Sequence, residues 1–190
     1  IAVVAGVAIL FWETAATKRN HAAADRFVTV MADFPKDKMD TLNWEKFLKD
    51  VDLFLAEYSA SSLSPTARIY RGKALLSLGR YQDALTSYQE AARNLSKPGR
   101  FLAEEGAAFS LMELGRHEEA EAIFGRLSAD KENPSRAFDT WNLGLAEEAS
   151  KRIGPAIKTY QTFEASFPDS NLIEQVRSRL AVLGRGASAP

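Results

Sequence analysis

Apolar side chains recur at helical spacing along most of the chain, in runs that are interrupted at regular intervals. From residue 65 to residue 78 they fall at the spacing of one helix, and from residue 84 to residue 92 they do so again. Gly79 and Arg80 separate the two runs. The pattern therefore predicts two helices that are joined by a tight turn.

This two-helix pattern occurs three times at one spacing. Gly79 in the turn is followed 36 residues later by Gly115, and the same offset then reaches Lys151. The other positions that match at this offset are Gly72, Ala108 and Gly144; Ala84, Ala120 and Ala156; Tyr88, Phe124 and Tyr160; and Arg80, Arg116 and Arg152. The small residues allow two helices to approach closely, and we expect the aromatic ring to fill the gap towards the next unit. A fixed repeat of this kind is typical of helical solenoids.

The small residue, the "LG" turn, the alanine, the aromatic residue four positions later and the closing proline together resemble the tetratricopeptide repeat. The resemblance covers about residues 65–168 as three consecutive units. It departs from the family pattern at the early tryptophan, which is missing from two units and displaced by about one position in the third, at Trp141, and at Arg71, where leucine is usual. The resemblance implies an all-α fold, a solenoid of helix–turn–helix pairs.

The flanking segments extend the predicted solenoid to residues 17–184. Residues 44–58 have apolar side chains at helical spacing, and we interpret them as the second helix of a degenerate N-terminal repeat. Its first helix is expected over about residues 14–34. The inward side chains of that helix are Phe27, Val30, Met31 and Phe34. At the other end, residues 171–184 are expected to form a capping helix that stops at Gly184, followed by a loose tail over residues 185–190.

The N-terminal segment, residues 1–16, begins with twelve uncharged residues, "IAVVAGVAILFW". A membrane-spanning helix needs about 20 apolar residues, and this run meets the start of the sequence before reaching that length. Trp12, followed by Lys18 and Arg19, is typical of a boundary between lipid and water. We therefore interpret residues 1–16 as part of a transmembrane anchor. A signal-peptide segment and the start of a buried helix are the alternatives.

Composition favours a binding protein over an enzyme. The chain has 24 basic and 25 acidic residues, and its net charge of -1 gives no reason to expect nucleic acid as the partner. It has no cysteine, which excludes disulfides, thiolate nucleophiles and cysteine-ligated zinc. Its two histidines, His21 and His117, are far apart, and no phosphate-binding loop is present. We therefore expect no catalysis, no cofactor, no metal site and no small-molecule substrate.

In tetratricopeptide arrays the first helix of each pair lines a concave surface that binds peptides or protein segments. The resemblance places this surface at Ile69, Lys73 and Leu76 in the first clear unit, at Leu102, Glu105, Phe109 and Met112 in the second, and at Phe138, Trp141, Leu145 and Glu148 in the third. Ile69 and Leu102 stand where a groove that clamps a C-terminal carboxylate needs polar groups, so we reject that subclass. Two interpretations remain. The apolar side chains pack between neighbouring first helices or under the N-terminal helix, or they form an open groove for a hydrophobic or amphipathic segment.

The order of an apolar N-terminal helix and a short tetratricopeptide domain resembles bacterial envelope proteins of the ancillary SecYEG translocon subunit type. That resemblance implies an inner-membrane protein with its repeat domain in the periplasm, whereas Lys18 and Arg19 favour the cytoplasm. We predict a non-enzymatic, membrane-tethered adaptor or accessory subunit of a membrane complex that docks protein partners. The alternatives are a structural subunit that is buried in a larger assembly and a domain that carries an enzyme's regulatory contacts.

Overall fold

Helices make up the regular structure of the part of the chain that the structure describes. The structure is a computed structural model, and it describes the backbone of residues 2–37 and 40–187 and the side chains of residues 17–37 and 40–184. The helices within those ranges are α1 (Ala2–Ala32), α2 (Thr41–Glu57), α3 (Ser64–Ser77), α4 (Tyr81–Asn94), α5 (Gly99–Glu113), α6 (His117–Ala129), α7 (Arg136–Ala149), α8 (Ile153–Ser166) and α9 (Ile173–Ala187). The fold is all-α and is built from helix–turn–helix pairs, as the sequence predicted.

The chain divides into two compact units. Unit 1 is Ile1–Leu95 and contains α1 to α4, whereas unit 2 is Ser96–Pro190 and contains α5 to α9. In unit 1, α1 packs on α2 and α3 packs on α4. In unit 2, α5 packs on α6, α7 packs on α8, and α9 follows against α8. That residues 17–184 form one continuous solenoid domain stays a prediction.

A residue in the left-handed conformation follows the first helix of each 36-residue repeat. Gly79 and Gly115 have φ of 72°, and Lys151 at the equivalent position has φ of 60°. The amide of the next residue donates to a carbonyl five residues earlier, for example from Arg80 to Leu75 at 2.8 Å. This is the Schellman pattern of helix C-termini, which glycine adopts without steric cost. The 36-residue register is therefore confirmed, including the turn in which lysine replaces glycine.

The glycines of the first helices lie directly beneath the aromatic rings of the second helices. A Cβ added to Gly72 would lie 2.8 Å from the Tyr88 ring, and a Cβ added to Gly144 would overlap the Tyr160 ring. Both rings are buried. Each ring thus covers the first helix of its own pair, whereas we expected it to fill the gap towards the next unit. The reason is that glycine has no Cβ, so the ring can occupy the space above its backbone.

Aromatic packing joins the N-terminal pair of unit 1 to the helix that follows it. The Phe34 ring lies just after α1, 5.4 Å from Trp44 of α2 and 5.8 Å from Tyr70 of α3. Phe27 of α1 lies 5.3 Å from Phe54 of α2. Phe27 therefore lies on the inward face of the first helix, as predicted, whereas Phe34 lies two residues beyond the end of α1 and packs against α2 and α3 from there.

The last helix closes unit 2 and is longer than expected. Val176 of α9 is fully buried and belongs to one core cluster with Tyr160 and Phe163 of α8. The helix extends to Ala187, beyond Gly184, where we expected it to stop. A glycine inside a helix costs only about 1 kcal/mol relative to alanine, so it does not by itself end the helix. The remainder of the predicted tail, residues 188–190, lies outside the described residues.

Residues 2–16 of the predicted membrane anchor are described by their backbone alone, as the first part of α1. Among the residues that the structure describes, no helix is both long enough and apolar enough to cross a membrane. The side chains of residues 1–16, to which the anchor was assigned from the sequence, lie outside the described side chains. The anchor therefore stays a prediction.

Candidate protein-binding face

The two first helices of unit 2 bring most of the predicted groove residues together. We define the α5–α7 face by Leu102, Glu105, Phe109 and Met112 of α5 and by Phe138, Trp141 and Leu145 of α7. Along each helix these residues are three or four positions apart, so they share one side of it. The ring centroids of Phe109 and Phe138 are 5.9 Å apart, which shows that the predicted positions on the two helices meet.

The α5–α7 face is partly open to solvent. Leu102 is 55% exposed and Phe138 is 39% exposed, although both side chains are large and apolar. Met112, Trp141 and Leu145 on the same face are half-buried. Large apolar side chains that are exposed on one face of a helix pair are typical of interaction sites.

Packing inside unit 2 supports this face from below. The half-buried Phe109 ring lies 5.4 Å from the buried Phe124 ring of α6, with the two planes 70° apart. Trp141 lies 5.3 Å from Tyr160 of α8 and packs against the core cluster that Tyr160 belongs to. Phe109 and Trp141 thus pack against other helices of the unit, as expected if the predicted groove is filled internally. Phe138 is exposed, as expected if the groove is open to a partner. That these positions bind a partner stays a prediction.

The predicted groove residues of unit 1 are placed differently. Ile69 is only 7% exposed, and Leu76 is half-buried. Lys73 is exposed, and its ammonium group lies 5.0 Å from the centroid of the Phe34 ring. A cation over an aromatic face is attracted to the ring, so Lys73 is engaged within unit 1. Unit 1 therefore offers less free apolar surface at these positions than unit 2.

Two acidic side chains accompany the apolar residues of the α5–α7 face. Burial, reinforced by the negative charge of Asp139, raises the pKa of the half-buried Glu105 to about 7. Asp139 of α7 is fully buried, and this burial raises its pKa to about 6 although a hydrogen bond from Asn133 acts in the opposite direction. Among the described residues, no basic side chain contributes to either shift. The face thus combines apolar surface with acidic groups that lack a cation.

The residues predicted from the sequence do not include Asp139, although the repeat register marks it. The 36-residue offset aligns Asp139 with Ala67 and Ala103, and all three are fully buried. Its Oδ2 accepts a hydrogen bond from Nδ2 of Asn133 at 2.7 Å, while its Oδ1 has no hydrogen-bond partner. A buried polar atom without a partner costs about 1–3 kcal/mol. A carboxyl group at a position that alanine fills in the other repeats is therefore a signal of function that the alignment could have supplied.

Glu148, the last of the predicted groove residues, is engaged in holding unit 2 together. Its Oε1 accepts hydrogen bonds from the Tyr160 hydroxyl at 2.6 Å and from Nε of Arg179 at 3.0 Å. Nη2 of Arg179 also donates to its second oxygen, Oε2. These bonds tie α7 to α8 and α9. Glu148 therefore has its cation from within the chain, in contrast to Glu105.

Comparisons with known proteins agree with this architecture. The family model described as tetratricopeptide repeat matches residues 51–100. No curated protein matches the chain. A solved structure of a MamA double mutant, "MamA RS-1 ArsTM double mutant", is 17% identical with a TM-score of 0.64, over 91% of this chain and 85% of that chain. A structure of MamA from residue 41 to its end, from Desulfovibrio magneticus RS-1, is 18% identical with a TM-score of 0.58, over 77% of this chain and 89% of that chain.

Identities this low establish a shared fold and nothing about partners. In this chain, the helix–turn–helix pairs, the repeated left-handed turn and the contact between glycine and aromatic ring are the features that agree with a tetratricopeptide fold. The chain therefore has the fold of a tetratricopeptide helix–turn–helix solenoid.

Proposed function

We propose that this chain is a non-enzymatic docking protein that binds a segment of a partner protein on the α5–α7 face. The observation that supports the proposal most strongly is the exposure of Leu102 and Phe138 beside the supported rings of Phe109 and Trp141. A few side chains, with aromatic ones prominent among them, supply most of the binding energy in protein interfaces. Because packing already orders the rings beneath, little side-chain freedom is lost when a partner binds.

The proposal is tested by a matched pair of substitutions, Phe138→Ser and Ile153→Ser. Both side chains are 39% exposed, but Ile153 lies at the start of α8 and outside the α5–α7 face. The full-length protein, with or without each change, is purified in detergent from cells that naturally produce it. The proteins that copurify are then quantified. We expect wild-type protein and the Ile153→Ser variant to retain the same partner, and the Phe138→Ser variant to lose most of it.

Stability measurements separate lost binding from lost folding. Because Phe138 is substantially exposed, Phe138→Ser is expected to change the free energy of unfolding by less than about 1 kcal/mol in a urea melt. Retention of the same partner by the Phe138→Ser variant would contradict the proposal. It would instead favour the alternative in which the chain is a structural subunit and these rings only pack.

We also propose that residues 1–16 tether the protein to the inner membrane, with the repeat domain on the periplasmic side as part of an accessory subunit. The support is the uncharged run that ends at Trp12. The full-length protein is expected to sediment with membranes and to resist carbonate extraction, whereas a chain that starts at Lys18 is expected to be soluble. Protease added to spheroplasts should digest the repeat domain. Full-length protein in the soluble fraction with its N-terminus intact would contradict the tether.

A further inference from the structure

We infer that the segment bound by the α5–α7 face carries a basic side chain, lysine or arginine, among its apolar residues, and that this cation docks against Glu105. The inference rests on the proposed function and specifies the chemistry of the partner. It follows from the position of Glu105, from the state of Asp139 and from the ion pairs of the surrounding unit.

Glu105 lies within the apolar part of the face. It is one helical turn from Leu102 and one from Phe109 along α5, and Phe109 contacts Phe138 of α7. Its side chain is half-buried, so a bound segment can reach the carboxyl group, but the surrounding apolar atoms reduce its contact with water. An ion pair formed here would be less screened than one on the open surface.

Asp139 provides the second, independent observation. It is fully buried, it acts electrostatically on Glu105, and its Oδ1 has no hydrogen-bond partner. The polar group that reaches it is the neutral amide of Asn133, which donates to Oδ2 only. Asp139 thus adds negative potential behind Glu105 that no described side chain neutralises. A cation at Glu105 would be attracted to both carboxyl groups.

Several carboxylates of unit 2 have cations from the same chain. Glu119 pairs with Arg116 at 2.6 Å, Asp130 pairs with Lys97 at 2.6 Å, and Glu148 pairs with Arg179. Glu104, the residue next to Glu105, pairs with Arg100 at 3.6 Å. Glu105 takes part in no ion pair with a described residue, although the apolar side chains around it would make an ion pair there stronger than one on the open surface. The α5–α7 face is therefore complementary to a segment that is both apolar and cationic.

Release of a proton from Glu105 gives the interaction a measurable signature. Burial and the charge of Asp139 hold the pKa of Glu105 at about 7, so this carboxyl is partly protonated at neutral pH. A cation that docks against it favours the ionised form and displaces the proton. Binding of a basic segment should therefore strengthen as pH rises from about 6 to about 8, whereas binding of an uncharged segment should not follow that trend.

The test uses three labelled amphipathic peptides that are identical except at one central position, which is lysine, norleucine or glutamate, with leucine one helical turn away on both sides. Their affinities for the full chain are measured by fluorescence anisotropy. Four variants are compared with wild type: Glu105→Gln, Asp139→Asn, Phe138→Ser and, as a matched control, Glu118→Gln, which removes an exposed carboxylate of α6. Circular dichroism melts establish that each variant is folded.

We expect the lysine peptide to bind about tenfold or more tightly than the norleucine peptide, and the glutamate peptide to bind most weakly. Glu105→Gln should abolish the preference for lysine and its pH dependence, Asp139→Asn should reduce both, and Glu118→Gln should change neither. Equal binding of all three peptides that is lost in Phe138→Ser would overturn the inference but leave the proposed function standing. If none of the three peptides binds, the result would count against both the inference and the proposed function.

Discussion

At the scale of single residues, the central feature is the graded burial of the aromatic side chains of unit 2. Phe163 is fully buried, Phe109 is half-buried between Phe124 and Phe138, and Phe138 is substantially exposed. Helical spacing assigns all of them to the apolar positions of a helix, but it does not say how far a neighbouring helix covers each ring. The sequence therefore predicted which residues lie on the face. The structure was needed to distinguish the rings that are packed beneath the face from the ring that is exposed on it.

This gradation predicts a graded loss of stability when each phenylalanine is changed to serine. We expect Phe163→Ser to cost about 3–5 kcal/mol because it empties a core site, and Phe138→Ser to cost less than about 1 kcal/mol. Phe109→Ser should fall between them, at about 2 kcal/mol, since its ring is covered more than that of Phe138 and less than that of Phe163. Urea melts measure all three. A loss for Phe109→Ser as small as that for Phe138→Ser would mean that the ring is not supported by Phe124.

The acidic pair makes a contribution to stability that decreases as pH rises. Burial holds the pKa of Glu105 at about 7 and that of Asp139 at about 6, against ordinary values of 4.5 and 3.8. Between about pH 4 and pH 7 these two groups therefore keep protons in the native protein that they have released in the unfolded chain, so their contribution to the free energy of unfolding falls with rising pH. The double variant Glu105→Gln, Asp139→Asn removes both titrations.

Urea melts of wild type and of this double variant across that range provide the measurement. The difference in unfolding free energy should shift in favour of the variant as pH rises, because only wild type must ionise two buried carboxyl groups. A difference that is independent of pH would contradict the raised pKa values. The variant Glu118→Gln serves as the control, since it removes an exposed carboxyl group of α6 that lies outside the α5–α7 face.

At the scale of helices and turns, the 36-residue repeat was the main basis for predicting where each helical pair turns. It located the turn residues Gly79, Gly115 and Lys151 at the same place in three pairs, and all three adopt positive φ. The position of a helix end is less predictable, as Gly184 shows, because one glycine lowers helix stability without removing the packing that holds the helix. The buried Asp139 was not predicted because acidic side chains are usually solvated. Only its alignment with Ala67 and Ala103 in the other repeats indicates that this position is buried.

The turn at Lys151 predicts a stabilising substitution. A side chain with a Cβ is strained by about 1–2 kcal/mol in the left-handed region, whereas glycine is not. Part of that gain is offset because glycine increases the freedom of the unfolded chain. We therefore expect Lys151→Gly to raise the free energy of unfolding by about 1 kcal/mol. The control Lys158→Gly, within α8, should lower it by about 1 kcal/mol. A loss in both variants would contradict the assigned turn conformation.

At the scale of the whole molecule, the sequence was sufficient for the fold class and for the order of the helical pairs. Its repeat also placed seven of the candidate binding residues on the α5–α7 face of unit 2, where Phe109 and Phe138 meet. It left open whether Ile69 and Lys73 are packed or free. The structure buries Ile69 and places Lys73 over Phe34, a contact that depends on the segment after α1 lying against α3. Local spacing cannot predict such contacts between segments that are distant in sequence.

The central claim is that a partner segment lies on the α5–α7 face, and site-specific photocrosslinking in cells that naturally produce the protein tests it most directly. A photoreactive phenylalanine analogue replaces Phe138 in one protein and Ile153, which is equally exposed, in another. The account predicts a discrete adduct from position 138, no such adduct from position 153, and loss of the adduct when Leu102→Ser is added. Adducts of equal yield from both positions, or none from position 138 in folded protein, would contradict it.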